Sequence, residues 1–286
     1  MKESELPLSP NGQLYHVHIT GRELADDVLL VGDPGRVEMF KELFDTVEYE
    51  SFNREIHVLT GKYKGHRFTA LSTGMGTDNI DIVMTELDAA ANIDLTTRLP
   101  RQKHRTLNIV RIGTSGSLQA DINYGQLVAS EYAVGLDGLM NYYDHDPEQL
   151  EEELALRFGK HMHLDTCFAR PYGTRCSQML LERVGFDMHH GITATAPGFY
   201  GPQGRHIRLS PAIADLNEQL ASFSYKDRKI TNFEMETSAI FGFCTLLKHN
   251  ALTVCLIIAN RPQGSFLNDY HDEMRHTIET VLNRLL

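Results

Sequence analysis

Four apolar residues, Val28-Leu29-Leu30-Val31, run straight into Gly32-Asp33-Pro34-Gly35-Arg36 and then into a pattern that reads as helix from Arg36 to Phe44. A short unbroken apolar run, a glycine turn and a helix together describe a buried strand feeding an α/β unit. The pattern recurs. Leu107 to Ile112 reads as a strand with Gly113-Thr114-Ser115-Gly116 as the turn after it, and Ile230-Thr231-Asn232-Phe233 leads into Glu234-Met235-Glu236-Thr237 and a helix near Met235 to Asn250. Thr253 to Ile258 is a strand ahead of Asn260-Arg261. The stretch Ile56 to Ser72 predicts a hairpin broken at Gly61 and Gly65, followed by a helix from Asp78 to Ile93. Further strands are expected at Gly125 to Tyr132 and Gly191 to Ala196, with helices from Cys176 to Val184 and from Tyr270 to Leu286. This alternation is that of an α/β protein, whose ligands sit beyond the carboxyl ends of the strands. The turns after Val31, Ile112, Phe233 and Ile258 are therefore the places where a site is expected.

At 286 residues and 42% hydrophobic content the chain can bury a large core, and no linker, repeat or low-complexity tract divides it, so residues 1–286 read as one domain. The longest apolar run, Thr253 to Ala259, is far short of the roughly 20 residues of a membrane span. The charged start Met1-Lys2-Glu3-Ser4-Glu5 leads into no signal-like apolar stretch, which predicts a cytoplasmic protein. Cys167, Cys176, Cys244 and Cys255 lack CxxC spacing and read as reduced, mostly buried thiols. A net charge of -11 argues against a nucleic-acid partner, although several arginines converging in a pocket can still hold a small anion. Glu148 to Glu153 reads as the solvated start of a helix, without function.

The turns carry chemistry. Asp33 before Pro34 has the composition of an N-cap with proline at the first helical position, and free N–H groups there, with Arg36 close by, suit a phosphate. A cap with an ordinary surface arginine explains the same residues. Arg111 stands in an otherwise apolar strand, where a guanidinium is costly unless paired. An anion site and a salt bridge to a core carboxylate account for it equally well. Gly74-Met75-Gly76 is a further glycine turn that reads as packing rather than a dinucleotide site. In Phe199-Tyr200-Gly201-Pro202-Gln203-Gly204-Arg205-His206-Ile207-Arg208, an amide and a guanidinium two residues apart suit the edge of a flat ring. By composition alone, a mobile glycine loop with incidental polar groups is the simpler account.

Taken together, GDPGR at Gly32 to Arg36, RIGTSG at Arg111 to Gly116, FYGPQGR at Phe199 to Arg205, NFEMET at Asn232 to Thr237 and NR at Asn260-Arg261 resemble, in order and spacing, the nucleoside phosphorylase-I family and within it the uridine phosphorylases. The resemblance covers about His16 to Leu286. It implies an α/β three-layer sandwich with a central mixed twisted β-sheet flanked by helices. It also implies a homo-oligomer built from dimers, either a dimer or a hexamer. Gly32, Arg36, Arg111 and Thr114 match the family's phosphate positions, and Arg54 matches the phosphate arginine lent across the dimer interface. His16 corresponds to the histidine that reaches a neighbour's ribose 5'-hydroxyl, with His18 two residues away as the other imidazole that would serve. Met235 and Glu236 match ribose contacts, Gln203 and Arg205 the uracil-reading pair, Phe199 the ring beside the nucleoside, and Arg261 a support near the base.

The implied reaction is phosphorolysis of uridine, and by extension deoxyuridine, to uracil and the pentose 1-phosphate. Inorganic phosphate is a co-substrate and no cofactor takes part. Purine-preferring relatives carry Ser-Asp where this chain has Asn260-Arg261, which favours a pyrimidine. Bacterial relatives hold potassium through a glutamate matching Glu55 and a serine replaced here by Asn79. Leu99 to Arg105 reads as an inserted surface loop. A purine nucleoside phosphorylase, a nucleoside hydrolase and a catalytically silent nucleoside-binding protein are the competing functions.

Overall fold

The computed structural model describes residues 1–164 and 168–286, and its centre is a twelve-stranded mixed sheet. The longer strands are β1 (Asp27–Val31), β2 (Thr46–Asn53), β3 (Ile56–Tyr63), β4 (His66–Ser72), β5 (Asn108–Ser117), β6 (Leu127–Gly135), β7 (Tyr172–Arg175), β8 (His189–Thr195), β9 (Arg228–Glu234) and β10 (Asn250–Asn260). The helices are α1 (Pro34–Leu43), α2 (Thr77–Asn92), α3 (Glu152–His161), α4 (Gln178–Val184), α5 (Leu216–Ser222), α6 (Thr237–Leu247) and α7 (His271–Arg284). Strands lie in the order β9-β8-β6-β10-β5-β1-β4-β3-β2, with β7 against β6. β1 pairs in parallel with both β4 and β5, and all five of its residues are buried. Helices cover the sheet, α1 over β3 and β4 beside α7, and α2 beside α6. Phe40 of α1 is fully buried, a contribution of about 1.5–3 kcal/mol for a side chain of this size.

One pairing sets the geometry of the site. The end of β9 also pairs antiparallel with the end of β5, Asn232 opposite Ser117 and Phe233 opposite Gly116, so β9, β8, β6, β10 and β5 close into a ring. The Asn232 amide donates to Ser115 Oγ at 2.9 Å across this join, and its oxygen accepts from Thr193 at 2.8 Å. Closure brings Arg111 of β5 under the carboxylates that follow β9.

Several expectations need correction. Gly113 to Gly116 is not a turn, because β5 continues to Ser117, bonded to β10 throughout. Gly61 does not break the hairpin. It lies inside β3, where a Cβ would stand 2.3 Å from Thr46 O and 2.6 Å from the Phe44 ring, and the chain reverses instead at Lys64 and Gly65, both with positive φ. β2 and β7 were not anticipated, since one is largely exposed and the other is four residues long. α6 starts at Thr237 and ends at Leu247, where Lys248 turns left-handed with φ 62°, and β10 already begins at Asn250. Within Glu148 to Glu153, a 3-10 turn over Pro147–Gln149 precedes α3. Leu99-Pro100 is exposed and pairs with Ile93-Asp94. Cys176, Cys244 and Cys255 are free and buried, while Cys167 lies outside the described residues. Among the described residues no helix is long and apolar enough to cross a membrane.

Candidate functional site

Glu234 is the last residue of β9 and Glu236 caps α6, so the strand-to-helix join aims two carboxylates at the end of β5. Glu234 accepts the free N–H groups of Glu236 and Thr237 at 3.0 Å each, which satisfies the helix start and fixes the turn. Arg111 is 5% exposed and forks between them, with Nη1 3.3 Å from Glu234 Oε2 and Nη2 bonded to Glu236 Oε2. Burial works to lower its pKa, but Glu236 and Glu234 hold Arg111 above the ordinary arginine value. Burial raises the Glu236 carboxyl; Arg111 opposes this and Glu234 adds to it. The guanidinium folds back over Gly113, where a Cβ would stand 1.9 Å from Nη1. Cys255, 3.7 Å from that nitrogen, stays a neutral thiol because burial pushes it up to about 11.

The salt-bridge account of Arg111 is thus present in the structure, and both partners stand at the site itself. Glu236 Oε1 accepts the Gly76 N–H at 2.7 Å. Gly74-Met75-Gly76, read from sequence as packing, is therefore a support for Glu236. Its glycines have φ 73° and 98°, a conformation that side chains resist. Thr73 N donates to Val31 O at 2.8 Å, which sets this turn beside the one after β1. There Asp33 accepts the Gly35 N–H at 2.9 Å with Pro34 opening α1, as expected. A Cβ on Gly32 would stand 3.6 Å from Gly74 O, an ordinary contact, Arg36 is half-buried near the Tyr270 ring at 5.9 Å, and Thr114 is half-buried on β5. Met235 is half-buried between the two carboxylates.

The Phe199 to Arg208 loop is tied down rather than loose. Gly201–Gln203 form a 3-10 turn, Gly204 takes φ 71°, and Gln203 is 2% exposed. Gln203 Oε1 accepts from Arg205 Nη1 at 2.9 Å and from Arg261 Nη2 at 2.5 Å, and Arg261 Nη1 also donates to Gln203 O at 2.6 Å. These bonds identify the amide oxygen, so the amide nitrogen points the other way as a donor. The Arg205 guanidinium lies 3.8 Å over the Phe199 ring. Burial lowers Arg205, and burial together with Arg205 lowers Arg261 to about 10, so both stay cationic near neutral pH. Arg261 also lies 5.4 Å over the Phe233 ring and 3.0 Å from a Cβ on Gly116, which sets this group beside the β5–β9 join. Asn260 donates to the Ile122 carbonyl at 2.9 Å and is a structural knot.

His16 and Arg54 are brought together by Asn53. Arg54 is exposed at the β2–β3 tip with φ 55°, and the neighbouring Asn53 amide donates to the carbonyls of Tyr15 and His16 at 3.1 and 3.0 Å. The two residues expected to be lent to a partner are thereby carried together at this tip. His18 has φ 49°, and its carbonyl accepts from Tyr49. Glu55 and Asn79 both meet Gly74, but Asn79 turns its amide nitrogen there, 2.3 Å from a Gly74 Cβ, and donates to Met75 O. A flip of the amide exchanges its nitrogen and oxygen, so Glu55 and Asn79 are the residues that would hold potassium at this point.

Two other groups of donors lie within 4.8 Å of one another, Asp88-His104-His249 and Glu38-Glu50-His57. Leu107 N donates to His249 Nδ1, so Nε2 carries the proton and faces Asp88 at 3.2 Å. His57 Nε2 faces Glu50 at 3.0 Å, and that carboxylate also takes Lys41 at 2.8 Å. Both read as polar knots between neighbouring elements rather than metal centres. A mainly apolar cavity of about 820 Å³ opens beside Tyr200, Pro202, Ile207 and Leu209 with Arg205 and Arg208 in its walls, but Arg111, Glu236 and Gln203 do not line it.

The phosphorylase superfamily profile matches residues 26–286. The chain is 29% identical to the uridine phosphorylase of Thermococcus kodakarensis, over 92% of this chain and 83% of that protein. It is 27% identical to that of Haemophilus influenzae, over 90% of each. The solved structure of the Trypanosoma brucei nucleoside phosphorylase, which shows uridine phosphorylase activity, superposes with a TM-score of 0.85 at 27% identity, covering 98% of this chain and 99% of that one. The expected fold is thus the fold found, and the chain belongs to the phosphorylase superfamily.

Proposed function

We propose that this chain catalyses the reversible phosphorolysis of uridine to uracil and ribose 1-phosphate. The observation that carries this reading is the buried Gln203 held by the half-buried Arg205 and Arg261, beside the Arg111–Glu236 pair. This is the arrangement that reading a ring edge beside a ribose and a phosphate would require. Relatives named as uridine phosphorylases over most of the chain support the same substrate. Asn260 supports a pyrimidine too, since its side chain is spent on backbone carbonyls and has no proton to give a purine ring nitrogen.

Glu236 uses one oxygen on Gly76 N–H and the other on Arg111, and a carboxylate with about four acceptor sites has room left for the ribose 2'- and 3'-hydroxyls. Arg36, Arg111, Thr114 and the Gly32 turn hold phosphate below C1', with Arg54 supplied by a second subunit, so two reactants meet already oriented. The C1'–N1 bond lengthens as a phosphate oxygen closes on C1'. Positive charge growing on the sugar faces phosphate and Glu236. Negative charge growing on uracil faces the Gln203 amide nitrogen and Arg205, with Arg261 behind them. The bonding pair leaves with N1, which ends with the proton that hydrogen phosphate brought. Phe199 and Met235 pack beside the nucleoside. No step passes through potassium.

The test is the ultraviolet absorbance change with uridine, with and without phosphate, and with inosine in parallel. Uracil release that requires phosphate is the expected outcome. Release without phosphate would make the protein a hydrolase, phosphorolysis of inosine alone a purine enzyme, and binding without turnover a nucleoside carrier.

A further inference from the structure

Glu86 is a carboxylate that the chemistry above does not use. It sits on the third turn of α2, is 6% exposed, and faces neither phosphate nor base residues. All of its bonds go to one place. Oε2 accepts the backbone N–H groups of His16 at 3.0 Å and Val17 at 2.8 Å, and Oε1 lies 2.6 Å from His16 Nδ1. A buried carboxylate costs several kcal/mol unless its oxygens are satisfied, and here one loop supplies every donor. The Tyr15 ring closes the His16 ring from the side, edge-on with centroids 4.9 Å apart.

The bonding fixes more than position. Backbone N–H groups can only donate, so Glu86 acts as an acceptor, and a ring nitrogen 2.6 Å from it must carry the proton. When the ring is neutral, Nε2 is then its bare acceptor, and 24% of the side chain stays exposed. Nε2 is the atom suited to take the hydroxyl proton of a sugar. His18 has no such clamp among the described residues, and its left-handed backbone is held through its carbonyl. The same helix begins at Gly76, whose N–H holds Glu236. α2 is thus a rigid strut between the chain's own ribose carboxylate and the histidine it presents outward, about 15 Å along the helix at 1.5 Å per residue.

We infer that Glu86 is the positioning residue for His16, setting its tautomer and aim so that Nε2, rather than His18, reads the ribose 5'-hydroxyl in a neighbouring subunit's site. This rests on the phosphorolysis reading and on His16 acting in a neighbour's site. Glu86→Gln is the discriminating change, because all three partners are donors and an amide must turn its own N–H groups toward at least one of them. The readout is the ratio of kcat/KM for uridine to that for 5'-deoxyuridine, measured on the intact oligomer. We expect His16→Ala to bring this ratio close to one, His18→Ala to leave it unchanged, and Glu86→Gln to lower it about tenfold while 5'-deoxyuridine turnover is kept. Glu86→Asp, which retains a carboxylate, should recover part of the ratio and stands in if Glu86→Gln fails to fold. An equal fall with both substrates in the Glu86 variants would reduce Glu86 to a structural role and overturn the inference. A wild-type ratio in Glu86→Gln would overturn it as well. If His16→Ala itself keeps the full ratio, the role of His16 is wrong and Glu86 falls with it, whereas absence of any phosphate-dependent turnover in the unmodified protein would instead defeat the phosphorolysis reading.

Discussion

Replacing Gly113 by alanine tests the central geometric claim without removing any functional group. A Cβ at this position would stand 1.9 Å from Arg111 Nη1, 2.7 Å from Cζ and 3.2 Å from Nη2. An ordinary non-bonded separation of about 3.5 Å requires Nη1 to retreat by roughly 1.6 Å. On an exposed arginine the shift would cost little, but this one is 6% exposed and pinned between Glu234 and Glu236. A shift of that size disturbs the pairing with Glu234 and Glu236. Overpacking of this kind costs about 1–3 kcal/mol of stability. A displacement near 1 Å at a positioning group lowers turnover by about 100-fold, or roughly 2.7 kcal/mol in the barrier. Steady-state kinetics with phosphate and uridine varied separately, alongside thermal unfolding, would measure both effects. The larger loss is expected in kcat/KM for phosphate. A folded Gly113→Ala protein with wild-type phosphate KM and kcat would show that the back-folded Arg111 is irrelevant to catalysis.

Arg205→Ala should reduce kcat by about 100- to 1000-fold, as loss of an oxyanion-type donor does, while Arg208→Ala, three residues on and exposed, stays near wild type; equal effects would remove Arg205 from the base site. Arg54→Ala and Glu236→Gln should each be nearly inactive alone, and mixing the two under subunit exchange should restore activity, because one hybrid site then combines an intact Glu236 with an intact Arg54; no recovery despite confirmed exchange would mean Arg54 acts within its own chain. Burial raises the Asp137 carboxyl above its ordinary value in spite of bonds from Leu139 N–H, Tyr172 and Ser238. Between its unfolded and its higher folded pKa the native protein then binds more protons than the unfolded chain, so this group lowers stability as pH rises through that window. Asp137→Asn should remove that slope, and melting temperatures from acid to neutral pH should show the variant gaining on wild type as pH rises; parallel curves would refute it.

Local signals were legible wherever the physics is local. Asp33-Pro34 capped a helix as its composition required, because proline and a short acceptor side chain satisfy a helix start without help from elsewhere. Glu236 was legible through its place in Asn232 to Thr237, at the join of an apolar strand and a helix. Gly113-Thr114-Ser115-Gly116 misled because glycine and hydroxyl residues suit a turn as well as a strand. What made it a strand was β10 alongside and β9 across its end, partners more than a hundred residues away in the chain. Gly61 misled in the same way, since its lack of a side chain serves close approach to Thr46 and Phe44 rather than a reversal. Gly76, Glu234 and Glu86 were missed as site residues because each acts by supporting another residue, and a support is defined by what it touches.

Read residue by residue, the chain specifies the alternation of strand and helix, a net acidic charge and an inventory of arginines, carboxylates and an amide at strand ends. Those properties follow from periodicity, propensity and charge, which are written residue by residue. Tertiary structure alone decided which of these groups meet. Arg111 reaches Glu236 only because β5 and β9 close the sheet, Gln203 spends its oxygen on Arg261 only because the loop folds onto the end of β10, and His16 finds Glu86 across 70 positions of chain. Contacts of that range are fixed by strand order and by the burial of apolar faces, a property of the whole fold that no single stretch encodes.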